Sequence, residues 1–136
     1  MKEITLSATI ENIEPVTDFV NEVLEENGCS MKAQMQLDIA VDELFSNIAR
    51  YAYAPNVGEA TVGVNFIEDE GSVEIFFSDS GTPYDPLAKA DPDITLSVEE
   101  REIGGLGIFM VKKSVDEMCY EYKDGKNVLK IKKKIV

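Results

Sequence analysis

Two polar side chains lie at helical spacing near the middle of the chain. Glu43 and Asn47 are four positions apart in a stretch whose apolar residues recur with helical periodicity, so they share one face of a predicted helix. A carboxylate and an amide oxygen one turn apart could reach a common ligand or a metal-bound water. Asn47 is also a poor helix former for a mid-helix position. A solvated polar face that includes Gln36 and Arg50 is the open alternative.

An acidic turn directly follows an apolar strand. Phe76 and Phe77 lead through Ser78 into Asp79-Ser80-Gly81, which places the Asp79 carboxylate at the end of a buried strand. There it could accept a hydrogen bond from a ligand amine. A turn carboxylate that bonds only its own backbone explains the same residues equally well.

A glycine cluster precedes a further helical stretch. Gly104-Gly105-Leu106-Gly107 allows the backbone to approach a ligand closely. The helix predicted from Ile108 to Ser114 would point its unpaired N–H groups and its positive dipole end at that ligand. This arrangement is typical of phosphate sites. A flexible hinge is the alternative, so each of the three segments is ambiguous when taken alone.

The charge balance limits the classes of ligand and partner. With 26 acidic and 13 basic residues, the net charge of −13 repels nucleic acid and anionic membranes, so we expect neither as a direct partner. The same charge opposes a polyphosphate, and a nucleotide site therefore needs a metal cation and backbone donors. The chain contains no histidine, which excludes an imidazole base and a phosphohistidine within this chain.

The apolar segments and the cysteines indicate the compartment. No apolar run approaches the roughly eighteen residues of a membrane span, and the first residues lack the pattern of a secretory signal. We therefore interpret the protein as cytoplasmic. Cys29 and Cys119 lack the spacing of a metal or redox motif and are expected to be buried thiols.

The length of 136 residues is typical of one domain, and apolar periodicity and turn residues predict the element order β-α-α-β-β-loop-α-β-β. Asn12 and Ser30 are expected to cap the first two helices, which end at Asn27-Gly28 and before Pro55. The stretch after Asp79 is rich in glycine and proline and is expected to be a functional loop. The predicted strands cover residues 3–9, 60–67, 72–78, 117–123 and 127–136, with the first at a sheet edge.

Lysines alternate with apolar residues near the end of the chain. Leu129, Ile131 and Ile135 are separated by lysines, which predicts a strand with a solvated lysine face. A basic patch that binds phosphate or an acidic partner is the alternative.

Taken together, the three polar segments resemble one known family. Glu43-Leu44-Phe45-Ser46-Asn47 resembles the N box of the GHKL ATPases, Asp79-Ser80-Gly81-Thr82-Pro83 their first glycine box and Gly104-Gly105-Leu106-Gly107 their second, in the same order and spacing. Within that superfamily, the short chain and the segments VDELFSNIARYAY and GGLGIFMVKKSVDEM resemble the anti-sigma-factor serine kinases. The resemblance implies an α+β two-layer sandwich, the Bergerat-type fold, with a mixed β-sheet covered on one face by helices. It implies a single domain over residues 1–136.

The resemblance also implies roles for single residues, with ATP and Mg²⁺ as cofactors. Asn47 would ligate the Mg²⁺, and Glu43 would be the base that acts on a serine hydroxyl or on water. Asp79 would accept a hydrogen bond from the adenine amine, and Gly81 would let the base approach.

The phosphates would lie at the Gly104-Gly105-Leu106-Gly107 loop, where Gly105 and Gly107 expose backbone N–H groups. Arg50 would support the phosphates or a partner surface, with a surface salt bridge as the alternative. Residues 83–103 would form a lid over ATP.

Partners, too, are implied only by the resemblance. The family phosphorylates a serine on a small antagonist protein of the STAS fold and, as a dimer, holds a sigma factor inactive. A homodimer would form through the N-terminal strand and helix. A nucleotide-dependent binding module and a simple ATPase are the alternatives. Histidine kinases are the nearest rival within the superfamily, but this chain has no histidine to phosphorylate.

Overall fold

The computed structural model describes residues 1–88 and 105–136, with side chains described from residue 107 in the second segment. The predicted element order is confirmed. The strands and helices are β1 (Lys2–Ser7), α1 (Ile13–Glu26), α2 (Met31–Asn47), β2 (Glu59–Ile67), β3 (Ser72–Asp79), α3 (Gly105–Ser114), β4 (Glu117–Lys123) and β5 (Lys126–Lys134).

The five strands form one sheet in the order β1-β2-β3-β5-β4, which places β1 at an edge as predicted. All four neighbouring pairs are antiparallel. The sheet is therefore fully antiparallel, and the expectation of a mixed sheet is wrong. Short turns join β2 to β3 and β4 to β5, and a short connection permits only antiparallel pairing. The pair α1–α2 returns the chain to the end of the sheet where β1 finished, so β2 also runs antiparallel to β1.

A single hydrophobic core lies between one face of the sheet and the helices. Alternate strand residues point inward, as the period of two requires, and meet the apolar sides of α1 and α2. The two-layer α+β class that the family resemblance implies is therefore confirmed. The largest fully buried side chains include Phe45, Phe77, Leu24, Leu37, Ile75 and Ile131.

The opposite face of the sheet carries charged residues. Lys130 forms an ion pair with Glu74 at 3.4 Å, and Lys132 pairs with Glu70 at 2.7 Å. Leu129 and Ile131 on the same strand are buried. The predicted solvated lysine face of the last strand is therefore confirmed for these two lysines.

Several local predictions differ from the structure. The Ser30 hydroxyl accepts a hydrogen bond from the Ala33 N–H at 3.2 Å and caps α2 as predicted, but the Asn12 side chain donates to the Ser7 carbonyl instead of capping α1. Helix α3 begins at Gly105, three residues before the predicted start. Cys119 is exposed because it points outward from the edge strand β4, and Cys29 is half-buried, so the expected burial of both thiols is wrong.

Within residues 1–88 and 105–136, none of the helices is both long enough and apolar enough to cross a membrane.

Candidate functional site

Glu43 and Asn47 lie on the border between the buried and exposed sides of α2. The neighbouring residues Leu44 and Phe45 are buried in the core and fix the rotation of the helix. Glu43 and Asn47 are themselves half-buried. The Asn47 Nδ2 donates to Glu43 Oε1 at 3.4 Å, so the two side chains share a face and touch, as their spacing predicts.

Helix α2 runs into a π-helical turn that connects it to the Asp79 segment. This turn covers Ile48–Ala52 and ends the helix earlier than the predicted stop before Pro55. The Tyr53 hydroxyl accepts from the Ser80 N–H at 2.8 Å and donates to the Glu59 carbonyl at 2.6 Å. The Ala52 carbonyl accepts from the Thr82 N–H at 2.9 Å. These bonds fix the distance between α2 and the end of β3.

Gly81 packs against the π-helical turn so closely that no larger residue fits. A Cβ atom at this position would overlap the Ala52 carbonyl and side chain. The contact is with backbone, which cannot rotate away as the end of a flexible side chain can. The requirement for glycine at residue 81 therefore arises from tertiary packing.

We expect the Gly81→Ala change to lower the free energy of unfolding by about 1–3 kcal/mol, the usual cost of forcing an extra carbon into a packed site. Urea unfolding of the two proteins would measure it. Gly63→Ala is the matched control, because the tightest contacts of a Cβ there are with side chains, Met1 at 3.3 Å and Glu3 at 3.4 Å, and the backbone is 3.7 Å away. Equal stability of Gly81→Ala and the unmodified protein would contradict the close packing.

Asp79 is the buried acidic residue of the site, with 6% of its surface exposed. Its Oδ1 accepts hydrogen bonds from the Gly81 N–H and from Asn127 Nδ2, each at 2.9 Å. Asp79 therefore does accept a bond from the backbone of its own turn, as the alternative interpretation expected. It also accepts a second bond from a residue on another strand. Within residues 1–88 and 105–136, no group donates a hydrogen bond to Oδ2.

Asn127 is a site residue that the sequence analysis missed. It lies opposite Asp79 in the register of β3 and β5, and its Nδ2 also donates to the Thr82 carbonyl at 3.0 Å. Its Oδ1 accepts from the Tyr84 N–H at 3.1 Å and from the Tyr120 hydroxyl at 2.5 Å. A polar residue at an inward position of a strand, in phase with Leu129, is the signal that could have identified it.

The surroundings of the Tyr120 phenol raise its pKa above the usual value. Burial raises its pKa, the bond to the Tyr84 backbone lowers it, and the charges of Asp85 and Asp79 raise it further. The hydroxyl therefore stays a donor to Asn127. Asn127, in turn, is oriented so that its amide N–H₂ points at Asp79.

A cavity of about 200 Å³ lies between α2, the end of β3 and the start of β5. Its walls are mainly apolar, and its polar groups include Asn47, Asp79 and Asn127. An apolar slot with a few oriented hydrogen-bonding groups suits a flat heterocycle. The apolar walls are formed by Leu44, Ile48, Phe77, Ile108 and Leu129.

The first turn of α3 lies beside Glu43. Because α3 begins at Gly105, its first backbone N–H groups have no partner within the helix, and its positive dipole end is at this point. A Cβ atom on Gly107 would overlap the Glu43 carboxylate. The structure therefore brings the predicted base and the predicted phosphate loop into contact.

The remaining predicted site residues either lie outside the described segments or do not line the cavity. Gly104 lies outside the described residues, the Leu106 side chain is not described, and the predicted lid at 83–103 is described only as far as residue 88. Arg50 is exposed and does not line the cavity, and it forms no ion pair with any residue of the described segments. The described part of the chain contains no group of three acidic, cysteine or histidine residues that could hold a metal ion.

The fold and this arrangement of cavity, N-box helix and helix terminus define a class of protein. The sequence model of the histidine kinase-like ATPase domain matches residues 6–133. The chain therefore belongs to the histidine kinase-like ATPase domain family, whose membership implies ATP binding. The predicted membership of the GHKL superfamily is confirmed.

Within this family the chain is similar to anti-sigma-factor serine kinases, as predicted. Serine-protein kinase RsbW of Listeria monocytogenes is 32% identical over 110 residues, which cover 77% of this chain and 69% of RsbW. Serine/threonine-protein kinase BtrW of Bordetella bronchiseptica is 23% identical over 124 residues, covering 91% of this chain and 87% of BtrW.

A solved structure shows the same fold. The RsbU and RsbW domains of Rv1364c from Mycobacterium tuberculosis superpose with a TM-score of 0.64 at 16% identity. The match covers 99% of this chain and 33% of the longer solved chain.

Proposed function

We propose that this protein is an ATP-dependent serine kinase that phosphorylates an antagonist protein of the STAS fold and sequesters a sigma factor or similar partner. One observation carries the proposal. The Glu43 carboxylate lies against the N-terminal turn of α3 and bonds to Asn47, at one side of a cavity that contains Asp79. A base, an oxygen ligand and a phosphate-binding helix terminus are thus adjacent.

Adenine binds in the apolar cavity with its exocyclic amine toward Asp79. The Gly81 N–H and Asn127 Nδ2 both bond to Oδ1 of this carboxylate, so Oδ2 is the oxygen that accepts from the amine. The residues that fix Asp79 come from its own turn and from β5. The adenine pocket is therefore oriented before the ligand arrives.

Asn47 suits a hard metal ion such as Mg²⁺. Its Nδ2 is occupied by the bond to Glu43, which turns the amide so that the carbonyl oxygen is its remaining polar atom. Oxygen donors are the ligands that Mg²⁺ takes, and a protein of net charge −13 needs a cation to accept a polyphosphate. When bound, the ion would neutralise charge on the phosphates.

The protein groups around the terminal phosphate have separate roles. The Glu43 carboxylate accepts the proton of the serine hydroxyl as its oxygen attacks the terminal phosphorus, and ADP departs. Backbone N–H groups at Gly104 to Gly107 stabilise the phosphate charge. We propose residues 83–103 as the lid over the nucleotide, although those after residue 88 lie outside the described segments, and Arg50 as part of a partner surface because its exposed side chain does not line the cavity.

Incubation with labelled ATP and a STAS-domain protein from the same organism tests the proposal. We expect label on a serine of that protein. The label should remain on the protein during denaturing electrophoresis and should depend on added Mg²⁺. Tight ATP binding without label would favour a nucleotide-dependent binding module instead. Phosphate release without any acceptor protein would favour a simple ATPase.

We also propose a homodimer that uses the N-terminal strand and helix. Among the strands of the described residues, the edge strand β1 pairs with β2 alone, and a second chain could add to its other side. Sedimentation of the same protein preparation would measure the mass, and a monomer at all concentrations would contradict the dimer.

A further inference from the structure

The hydrogen-bonding capacity of the Asn127 amide is fully used within the protein. Its Nδ2 donates to Asp79 Oδ1 at 2.9 Å and to the Thr82 carbonyl at 3.0 Å. Its Oδ1 accepts from the Tyr84 N–H at 3.1 Å and from the Tyr120 hydroxyl at 2.5 Å. An asparagine side chain offers two hydrogens and two lone pairs, and all four are engaged. Asn127 therefore orients its neighbours, and recognition of a ligand falls to them.

The direction of the hydrogen bond between Tyr120 and Asn127 is fixed by the other contacts of the amide. Both groups that face Nδ2 are acceptors, a carboxylate and a carbonyl, which identifies this atom as the amide nitrogen. Oδ1 therefore carries no hydrogen, and the Tyr120 hydroxyl must donate its only one. Any further bond that the phenol oxygen makes is one that it accepts.

The pairing of the last two strands places Tyr120 at the cavity. Strand β4 sets Tyr120 opposite Leu129 and Tyr122 opposite Asn127. The Tyr120 side chain therefore lies on the same face as Leu129, and it is long enough to reach Asn127 diagonally. Tyr120, Asn127 and Asp79 all line the cavity. The phenol and the carboxylate thus contact the same amide, one on its oxygen and the other on its nitrogen.

We propose that Tyr120 is a specificity-determining residue of the ATP site, whose phenol oxygen accepts one hydrogen of the adenine amino group while Asp79 Oδ2 accepts the other. This inference rests on the ATP binding in the proposed function and is independent of phosphotransfer. An amino group has two hydrogens that point in different directions, and a single carboxylate oxygen takes one of them. Tyr120 supplies a second acceptor near the first, because both groups bond to the side chain of Asn127.

Two acceptors discriminate between purines more strongly than one. Guanine and hypoxanthine carry an oxygen where adenine has the amino group, and this oxygen would face both acceptors without a hydrogen between them. Burial raises the pKa of the Tyr120 phenol, and the charges of Asp85 and Asp79 raise it further, against the opposing effect of the Tyr84 backbone. The phenol therefore lies in negative surroundings, which attract an amino group and repel a carbonyl oxygen.

Binding of two nucleotides to Tyr120→Phe tests this role. Purine riboside triphosphate is ATP without the amino group, and calorimetry in the presence of Mg²⁺ would measure the affinity of each. We expect Tyr120→Phe to reduce the preference for ATP over purine riboside triphosphate about three- to tenfold, the usual loss of one neutral hydrogen bond. The bond to Asn127 is lost with either nucleotide, so an effect that acts through Asn127 cancels in this ratio.

Tyr122→Phe is the matched control. It removes the same hydroxyl two residues further along β4, from a side chain that is 48% exposed and does not line the cavity. We expect this variant to keep both affinities.

The outcomes separate this inference from the function on which it rests. If the unmodified protein binds neither nucleotide, the ATP site itself fails. If Tyr120→Phe weakens both nucleotides by the same factor, the hydroxyl acts only by holding Asn127, and the contact with adenine is overturned. Unchanged affinities for both nucleotides would overturn it as well. Failure to phosphorylate the STAS protein would alter neither affinity, because these measurements contain no protein substrate.

Discussion

Replacing Glu43 by glutamine is expected to slow phosphoryl transfer by about 100- to 10,000-fold, the usual contribution of a positioned base, while ATP still binds. The Glu43→Gln side chain has nearly the same shape and can still accept the hydrogen bond that Asn47 Nδ2 donates at 3.4 Å. It cannot accept the proton of the attacking hydroxyl at neutral pH. The change therefore removes the proposed chemistry and leaves the surrounding contacts in place.

Single-turnover transfer of labelled phosphate to the STAS protein would measure the effect, with ATP affinity determined separately by calorimetry. Asp42→Asn is the matched control, because Asp42 is the adjacent carboxylate on α2, is exposed and accepts a bond from the Ser46 hydroxyl. We expect Asp42→Asn to transfer phosphate at the original rate. A Glu43→Gln protein with unchanged kcat would remove Glu43 from the mechanism.

Replacing Asp79 by asparagine is expected to weaken ATP binding by about 10- to 100-fold, which corresponds to the loss of a hydrogen bond to a charged group. The Gly81 N–H and Asn127 Nδ2 both point at Oδ1, so the asparagine must keep its carbonyl oxygen there. Its N–H₂ group then takes the place of Oδ2. A donor would face the donor amine of adenine.

The same geometry predicts a change of base preference. Inosine triphosphate carries an oxygen at the position of the adenine amine, so Asp79→Asn should bind it better than the unmodified protein does. Asp116→Asn is the control, because Asp116 also accepts a bond from a backbone N–H, that of Lys134 at 2.6 Å, and does not line the cavity. If Asp79→Asn bound ATP with its original affinity, adenine would not be recognised at this residue.

The contacts that hold Glu43 and Asp79 in place were predictable from the sequence to different degrees. The pairing of Glu43 with Asn47 was predictable, because residues four apart on a helix are neighbours whatever the rest of the chain does. The hydrogen bond from the Gly81 N–H to the Asp79 carboxylate was also predictable, because it joins residues only two positions apart. The orientation of Asp79 by Asn127 spans 48 residues and was not predicted.

The sequence by itself determined the element order, the Ser30 cap and the three short segments that indicate a nucleotide site. These features arise from local periodicity and from contacts within one helical turn or one tight turn. The tertiary structure decided the antiparallel sheet, the pairing of Asp79 with Asn127 and the contact of Gly107 with Glu43. Those contacts join residues far apart in the chain, and they exist only because burial of one continuous core fixes how the strands and helices are placed against each other.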